Sequence, residues 1–323
     1  MSALPARKSK PVATFSIVGF DPATGDLGIA VESRFFAVGA VVPWAKAGVG
    51  AVATQSFANT TFGPKGLELL ESGKPAPEAL QMLLKDDPNS SQRQAGIVDA
   101  HGTPATFTGD KCNPWAGGKT GKNYAAQGNI LTGKEVVAAM AATFEDTAGL
   151  PLADRLVKAL AAGQTAGGDS RGQQSAALLV VRAKGGYAGF NDRYIDLRVD
   201  DHPRPIEELA RLLEMHHTTN AYADARFYLE RSERDRAVKI MEDATRRRLH
   251  DAAKDSDRGD AYYDLACFYS LAGLADKALE NLTRAFPLNP SLKAFSLNDT
   301  DLDVLRSDPR YRDLVKDAAG KKP

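Results

Sequence analysis

The chain has 323 residues, 43% of them hydrophobic, which at ~150 residues per domain supports about two domains with buried cores. Its 41 basic and 41 acidic residues cancel, which argues against a broad electrostatic surface for nucleic acid. Two cysteines make no disulfide framework, and no apolar run reaches the ~20 residues of a membrane span.

In chain order, the basic start "MSALPARKSKPVA" lacks an apolar h-region and reads as a leader or extension over residues 1–11. "TFSIVGF" and "LGIAVES" then read as two strands joined by the turn "DPATGD". "VGAVATQS" is a third strand. "GPKGLELLESG" and "APEALQMLLKDD" carry helical leucine spacing and end at breakers. "QAGIVDAHGTPATFTGD" is a hairpin turning at His101-Gly102, and "NYAAQGNIL" is a further strand. "TGKEVVAAMAATFEDT" and "LPLADRLVKALAAG" are two more helices. "SAALLVVRAKGGYAGF" and "RYIDLRVDD" supply the last strands. Helices thus come in pairs between groups of strands, which suits antiparallel sheets covered by paired helices rather than alternating βαβ units.

From about Pro205 the texture changes to long charged helices with little glycine or proline, after the linker "HPRP". "GDAYYDLACFYSLAGLADKALENLTRAFPLNPS" matches the tetratricopeptide-repeat template at Tyr262, Leu265, Ala266, Tyr269, Ala278, Leu282, Ala285 and Pro290. The expected domains are 12–203, mixed α and β, and 204–323, an all-α helical-repeat (TPR-like) domain.

Three tempting motifs fail. "GGKTGK" would need a glycine where Asn113 stands to be a phosphate loop. "DTDLD" lacks the glycine and closing glutamate of a calcium loop, so it reads as a helix cap. No cysteine and histidine spacing suits zinc. No metal and no cofactor is expected.

Chemistry concentrates around Thr14. A hydroxyl is a weak nucleophile without a base, and an N-terminal threonine carries one in its own α-amine. Such a site also needs a lysine to keep the amine neutral, a carboxylate to hold the lysine, and backbone N–H groups for an oxyanion. "VESR" offers Glu32, Ser33 and Arg34, and "PWAKAGVG" offers Lys46 with Gly48 and Gly50. "GGDSRGQQS" sets a polar cluster before a buried strand, and buried polar groups need partners, so Asp169, Arg171 and Ser175 are expected to line a cleft. Gln55 and Ser56 close the third strand and would line it too, with Asn129, Trp44 and Trp115 as further candidates.

Thr14, then "ESR", then Lys46 resembles proteasome-type subunits and other N-terminal-nucleophile (Ntn) hydrolases, where the pattern is Thr, Asp-Ser-Arg, Lys. Glu32 replaces the aspartate here. More narrowly, "TFSIVGFDPATGDLGIAVESRFFAVGAVVPWAKAGVGAVATQS", "GGDSRGQQSAALLVV" and "GGYAGFNDRYIDLRVDDHPRPIEEL" resemble the Ntn-hydrolase-like family named domain of unknown function 1028 over about residues 12–215. The resemblance implies an α+β four-layer αββα sandwich and, by analogy of fold, an amide-bond hydrolase. Members of that family typically begin at the equivalent of Thr14, just after the initiator methionine.

The resulting expectation is a hydrolase of an amide or peptide-like bond. Thr14 attacks, its α-amine acts as base, Lys46 tunes the amine and Glu32 holds Lys46. The α-amine exists only in a chain opened between Ala13 and Thr14. The alternative is a catalytically silent ligand-binding or scaffold protein. Expected partners are a small amide or peptide-like substrate, a protein held by the helical-repeat domain, and a second copy in a homodimer. No nucleic acid or membrane is expected. The location is cytoplasmic by default, or exported if the leader replaces a removed signal peptide.

Overall fold

A computed structural model describes residues 14–317. The leader expected over residues 1–11 lies outside the described residues. The chain forms two compact units, divided after Leu213.

The first unit contains two antiparallel sheets. The larger has the order β10-β9-β2-β1-β8-β7 and the smaller β3-β4-β5-β6. β1 (Thr14–Asp21) and β2 (Asp26–Ser33) pair antiparallel from Thr14↔Ser33 to Asp21↔Asp26. The turn between them needs Gly25, whose φ is +78°, a region costly for residues with a Cβ. β3 (Pro43–Lys46) and β4 (Gly50–Ser56) form the next hairpin, with Gly48 at φ +70° in the turn. β5 (Arg93–Asp99) and β6 (Pro104–Thr108) complete the smaller sheet. β7 (Gly117–Gly121), β8 (Tyr124–Asn129), β9 (Ser175–Val181) and β10 (Arg193–Val199) complete the larger.

Alternation along each strand sorts the apolar side chains into layers. Val18, Ile29, Val31, Ala53, Val98 and Leu179 meet between the two sheets. Phe15, Ile17 and Ala30 point the other way, into a core shared with Met140 and Phe144 of α3 (Glu135–Asp146) and Leu156 of α4 (Leu152–Thr165). Val52 and Ile97 likewise pack with Phe62 of α1 (Phe62–Glu71) and Leu80 and Leu83 of α2 (Ala76–Lys85). The order of elements therefore matches the sequence reading, with two additions. "GGKTG" is the exposed edge strand β7, and "PWAK" is the short edge strand β3.

The second unit is helical. α5 (Pro205–Thr219) buries Ile206, Leu209 and Leu213 in the first unit's core, and the division falls within it. The charged stretch after it is broken into α6 (Ala221–Leu229) and α7 (Arg234–Asp251), separated by a turn with Ser232 at φ +64°. α8 (Asp255–Leu271) and α9 (Ala275–Leu288) are joined through Gly273 at φ +71°. α10 (Ser291–Ser296), a 3₁₀ turn over Thr300–Leu305 and α11 (Pro309–Val315) follow. Ala266 and Ala278 are fully buried where α8 and α9 pack. Among the described residues, no helix is long and apolar enough to cross a membrane.

Candidate functional site

Thr14 opens β1 and is opposed by Asn129 of β8 on one side and Ser33 of β2 on the other. Ser33 is opposed in turn by Ser175 of β9. Opposed residues in antiparallel strands share a face. Asn129, Thr14, Ser33 and Ser175 therefore form one polar row across four strands, all fully buried and facing the smaller sheet. Thr14 Oγ1 donates to Ser33 Oγ at 3.1 Å.

Beneath the row lies a buried amide network. Ser16 donates to Gln55 Oε1 at 2.6 Å. Gln55 Nε2 donates to Gln94 Oε1 at 2.8 Å and to the Thr14 carbonyl at 3.3 Å. Gln127 Nε2 donates to Ser16 Oγ at 2.7 Å, and Asn129 Nδ2 donates to Gln94 Oε1 at 2.9 Å. Gln94 Nε2 reaches the Gly128 carbonyl at 2.7 Å. Asn129 Oδ1 alone in this group is buried without a hydrogen-bond partner. Burying such an acceptor costs roughly 1–3 kcal/mol. Ser56, which ends β4, and Ile130, the residue after β8, have φ of +64° and +55°. A β-branched residue rarely accepts that conformation, and such strain concentrates at functional sites.

Ser16, Gln94 and Gln127 were not among the residues singled out from the sequence. Their signal was present: each is a polar residue inside an apolar strand run, in "TFSIV", "RQAGIV" and "YAAQGN".

The expected Thr14, Lys46 and Glu32 constellation is not assembled. Lys46 lies at the β3–β4 turn, half exposed, with Nζ 2.5 Å from Glu71 Oε1. It opposes Gly50, while Gln55 contacts the Thr14 strand. Five residues of β4 separate Gly50 from Gln55, about 17 Å at ~3.3 Å per residue. Gly48 and Gly50 sit at the same remote turn, so their amides do not serve Thr14. The cause is hairpin geometry: a lysine that closes its strand just before a tight turn stays at the turn end of its sheet.

Glu32 sits one residue from Ser33, so alternation turns it to the opposite face of the sheet. It opposes Phe15 and Ala176 on the side covered by α3 and α4. It is fully buried, and neither carboxylate oxygen has a hydrogen-bond partner. Burial pushes its pKa well above the ordinary 4.5 and Asp169 adds to this, while the nearby Gln174 backbone N–H, which donates to the Ser33 carbonyl, and Arg171 only temper it.

Asp169, Arg171, Arg34 and Ser175 do gather at this end of the sheet, as bracing. Asp169 accepts from Arg171 Nη2 at 2.8 Å and from the Arg34 N–H at 3.1 Å. Arg34 Nη1 donates to the Arg171 carbonyl at 3.3 Å. Ser175 donates to the Phe35 carbonyl at 2.5 Å and accepts from the Val38 N–H at 3.1 Å. Ser56 is nearly fully buried at the close of β4. Trp44 packs on α1 and donates to the Val41 carbonyl at 3.0 Å, and Trp115 packs against the α3 and α4 core. Among the described residues, no three Asp, Glu, His or Cys side chains are grouped to hold a metal ion.

A model of the family of unknown function DUF1028 matches residues 14–209. The chain belongs to the DUF1028 family. The match starts at Thr14 and takes in the whole polar row and both sheets. A solved DUF1028 structure, protein SPO2555 from Silicibacter pomeroyi, is similar at 31% sequence identity and a TM-score of 0.57. The likeness covers 63% of this chain and 88% of that one. No curated protein matches the chain.

Proposed function

We propose that the DUF1028 domain is an Ntn-type hydrolase of an amide or peptide-like bond, with Thr14 as nucleophile in a chain opened between Ala13 and Thr14. The layering of helices, two sheets and helices supports reading the domain as the four-layer αββα sandwich of that group. The observation that carries the activity is the bond from Thr14 Oγ1 to Ser33 Oγ, within a buried polar row at the strand end. In the opened chain the α-amine takes the hydroxyl proton as Oγ1 attacks the carbonyl carbon. The proton passes to the departing nitrogen, and water then cleaves the ester. Ser33 orients Oγ1, and Asn129 of the same row offers the unpartnered acceptor Oδ1. Lys46 and Glu32 take no part.

The test follows intact mass and N-terminal sequence alongside hydrolysis of a panel of small amides and dipeptides. Hydrolysis is expected to accompany a new Thr14 terminus and to fall at least ~100-fold in Thr14→Ala, as loss of a covalent nucleophile does. Undiminished hydrolysis in Thr14→Ala would sink the proposal. The complete burial of Thr14 and the remoteness of Lys46 favour a second reading, a catalytically silent binding or scaffold protein. A full-length chain that never gains a Thr14 terminus and hydrolyses nothing would support that reading. In either case the paired α8 and α9, closed through Ala266 and Ala278, support a TPR-like reading of the helical unit.

A further inference from the structure

The helical unit carries a half-open cavity of about 530 Å³. Met241 and Ala244 of α7 and Leu292 of α10 give it an apolar floor. Tyr222 of α6, Tyr263 of α8 and Phe295 of α10 give it aromatic walls. Phe295 is 64% exposed and stands edge-on to Tyr263, with ring centroids 5.9 Å apart. Four carboxylates also line it: Asp260 and Asp264 on α8, Asp299 and Asp301 on the following turn. The one lysine or arginine among its lining residues, Arg248, is 2.6 Å from Asp264.

The hydrogen-bond polarity of the wall is uniform. Tyr263 donates to Asp299 Oδ2 at 2.8 Å, Cys267 Sγ lies 3.5 Å from the same oxygen, and Tyr222 donates to Asp301. Burial, with the facing carboxylates adding to it, pushes the pKa of all three donors up, so they stay protonated. A second observation is independent of the acids. Thr245 lines the cavity, is only 3% exposed, and its hydroxyl makes no hydrogen bond. A helical threonine commonly returns its hydroxyl to the carbonyl one turn back, and this one does not.

We propose that this cavity binds a cationic nitrogen on an aliphatic stem, a primary ammonium or a guanidinium. Carboxylates Asp299 and Asp301 accept its N–H donors, and Thr245 Oγ1 offers a further acceptor. The Phe295 ring face attracts the charge, and Met241 and Leu292 cover the stem. The same chemistry is carried by a free aliphatic amine and by a lysine or arginine side chain in a peptide.

Calorimetric titration of the full chain separates these sources with two pairs of probes. The free pair is cadaverine and glutarate. The peptide pair is blocked Gly-Lys-Gly and blocked Gly-Glu-Gly. Saturable binding is expected for at least one cationic probe and for neither anionic one. Cadaverine alone would identify a free amine, the lysine peptide alone a side chain, and both a site open to either. Phe295→Ala, on an exposed side chain, should weaken binding about 5-fold or more. Asp301→Asn should weaken it about 10-fold or more, and added salt should weaken it further. No binding of either cationic probe, equal binding of the anionic ones, or unchanged affinity in a folded Phe295→Ala and Asp301→Asn would each overturn the proposal.

Discussion

At the scale of single residues, Thr14 and Glu32 show how one position along a strand changes chemistry. Thr14 shares its face with Ser33, and Glu32 does not. Burial and Asp169 outweigh the Gln174 N–H and Arg171 at Glu32, so its carboxyl is held in the protonated form over a wider pH range. The folded state then binds more protons than the unfolded one above the ordinary pKa of 4.5. Stability should accordingly fall as pH rises from there towards the raised value. Glu32→Gln should remove that slope and raise the melting temperature more at pH 8 than at pH 5. Parallel melting curves for the two proteins across that range would contradict the assignment. At the Thr14 row, Ser33→Ala should slow any Thr14-dependent hydrolysis by roughly 10- to 100-fold, in the usual range for a positioned proton-handling group, without changing which terminus the chain carries. The rate and the N-terminal sequence are read on the same sample.

At the scale of elements, the hairpins decide what meets what. Trp44 on β3 lies flat against α1 at Gly63, where an added methyl would enter the indole ring. Gly63→Ala should cost about 1–3 kcal/mol by overpacking. Chemical denaturation followed by tryptophan fluorescence measures it, and a loss under a few tenths of a kcal/mol would show that Trp44 moves freely. Lys46, on the same hairpin, pairs with Glu71 in solvent. Lys46→Ala should change stability by less than ~1 kcal/mol, as exposed pairs do, and leave hydrolysis unaltered. A strong loss of hydrolysis would restore Lys46 to the site. Most elements were legible because period-2 and helical patterns are local signals. β7 was not, because "GGKTG" carries no apolar alternation and lies at an exposed edge, where no core demands it. The breaks between α5, α6 and α7 also went unread, because neither Asn220 nor Ser232 is a strong breaker in sequence.

At the scale of the whole molecule, two units each close an apolar core, and the cores share no residue. Calorimetry should therefore resolve two unfolding transitions, with Gly63→Ala lowering only one of them. A single transition that shifts as a whole would show one cooperative body. By itself the sequence determined the mixed α and β class, the family, the helical region after it and the polar residue types near Thr14. These follow from composition, periodicity and motifs that neighbours in the chain express together. Only the tertiary structure decided which of those residues meet. It placed Thr14 beside Ser33 and Asn129, laid the Gln55, Gln94 and Gln127 network beneath them, and left Lys46 and Glu32 out. The physical reason is that spacing in sequence carries no information about the end of a sheet or the face of a strand. Strand register and side-chain alternation determine both, and they are set by pairing with partners far away in the chain.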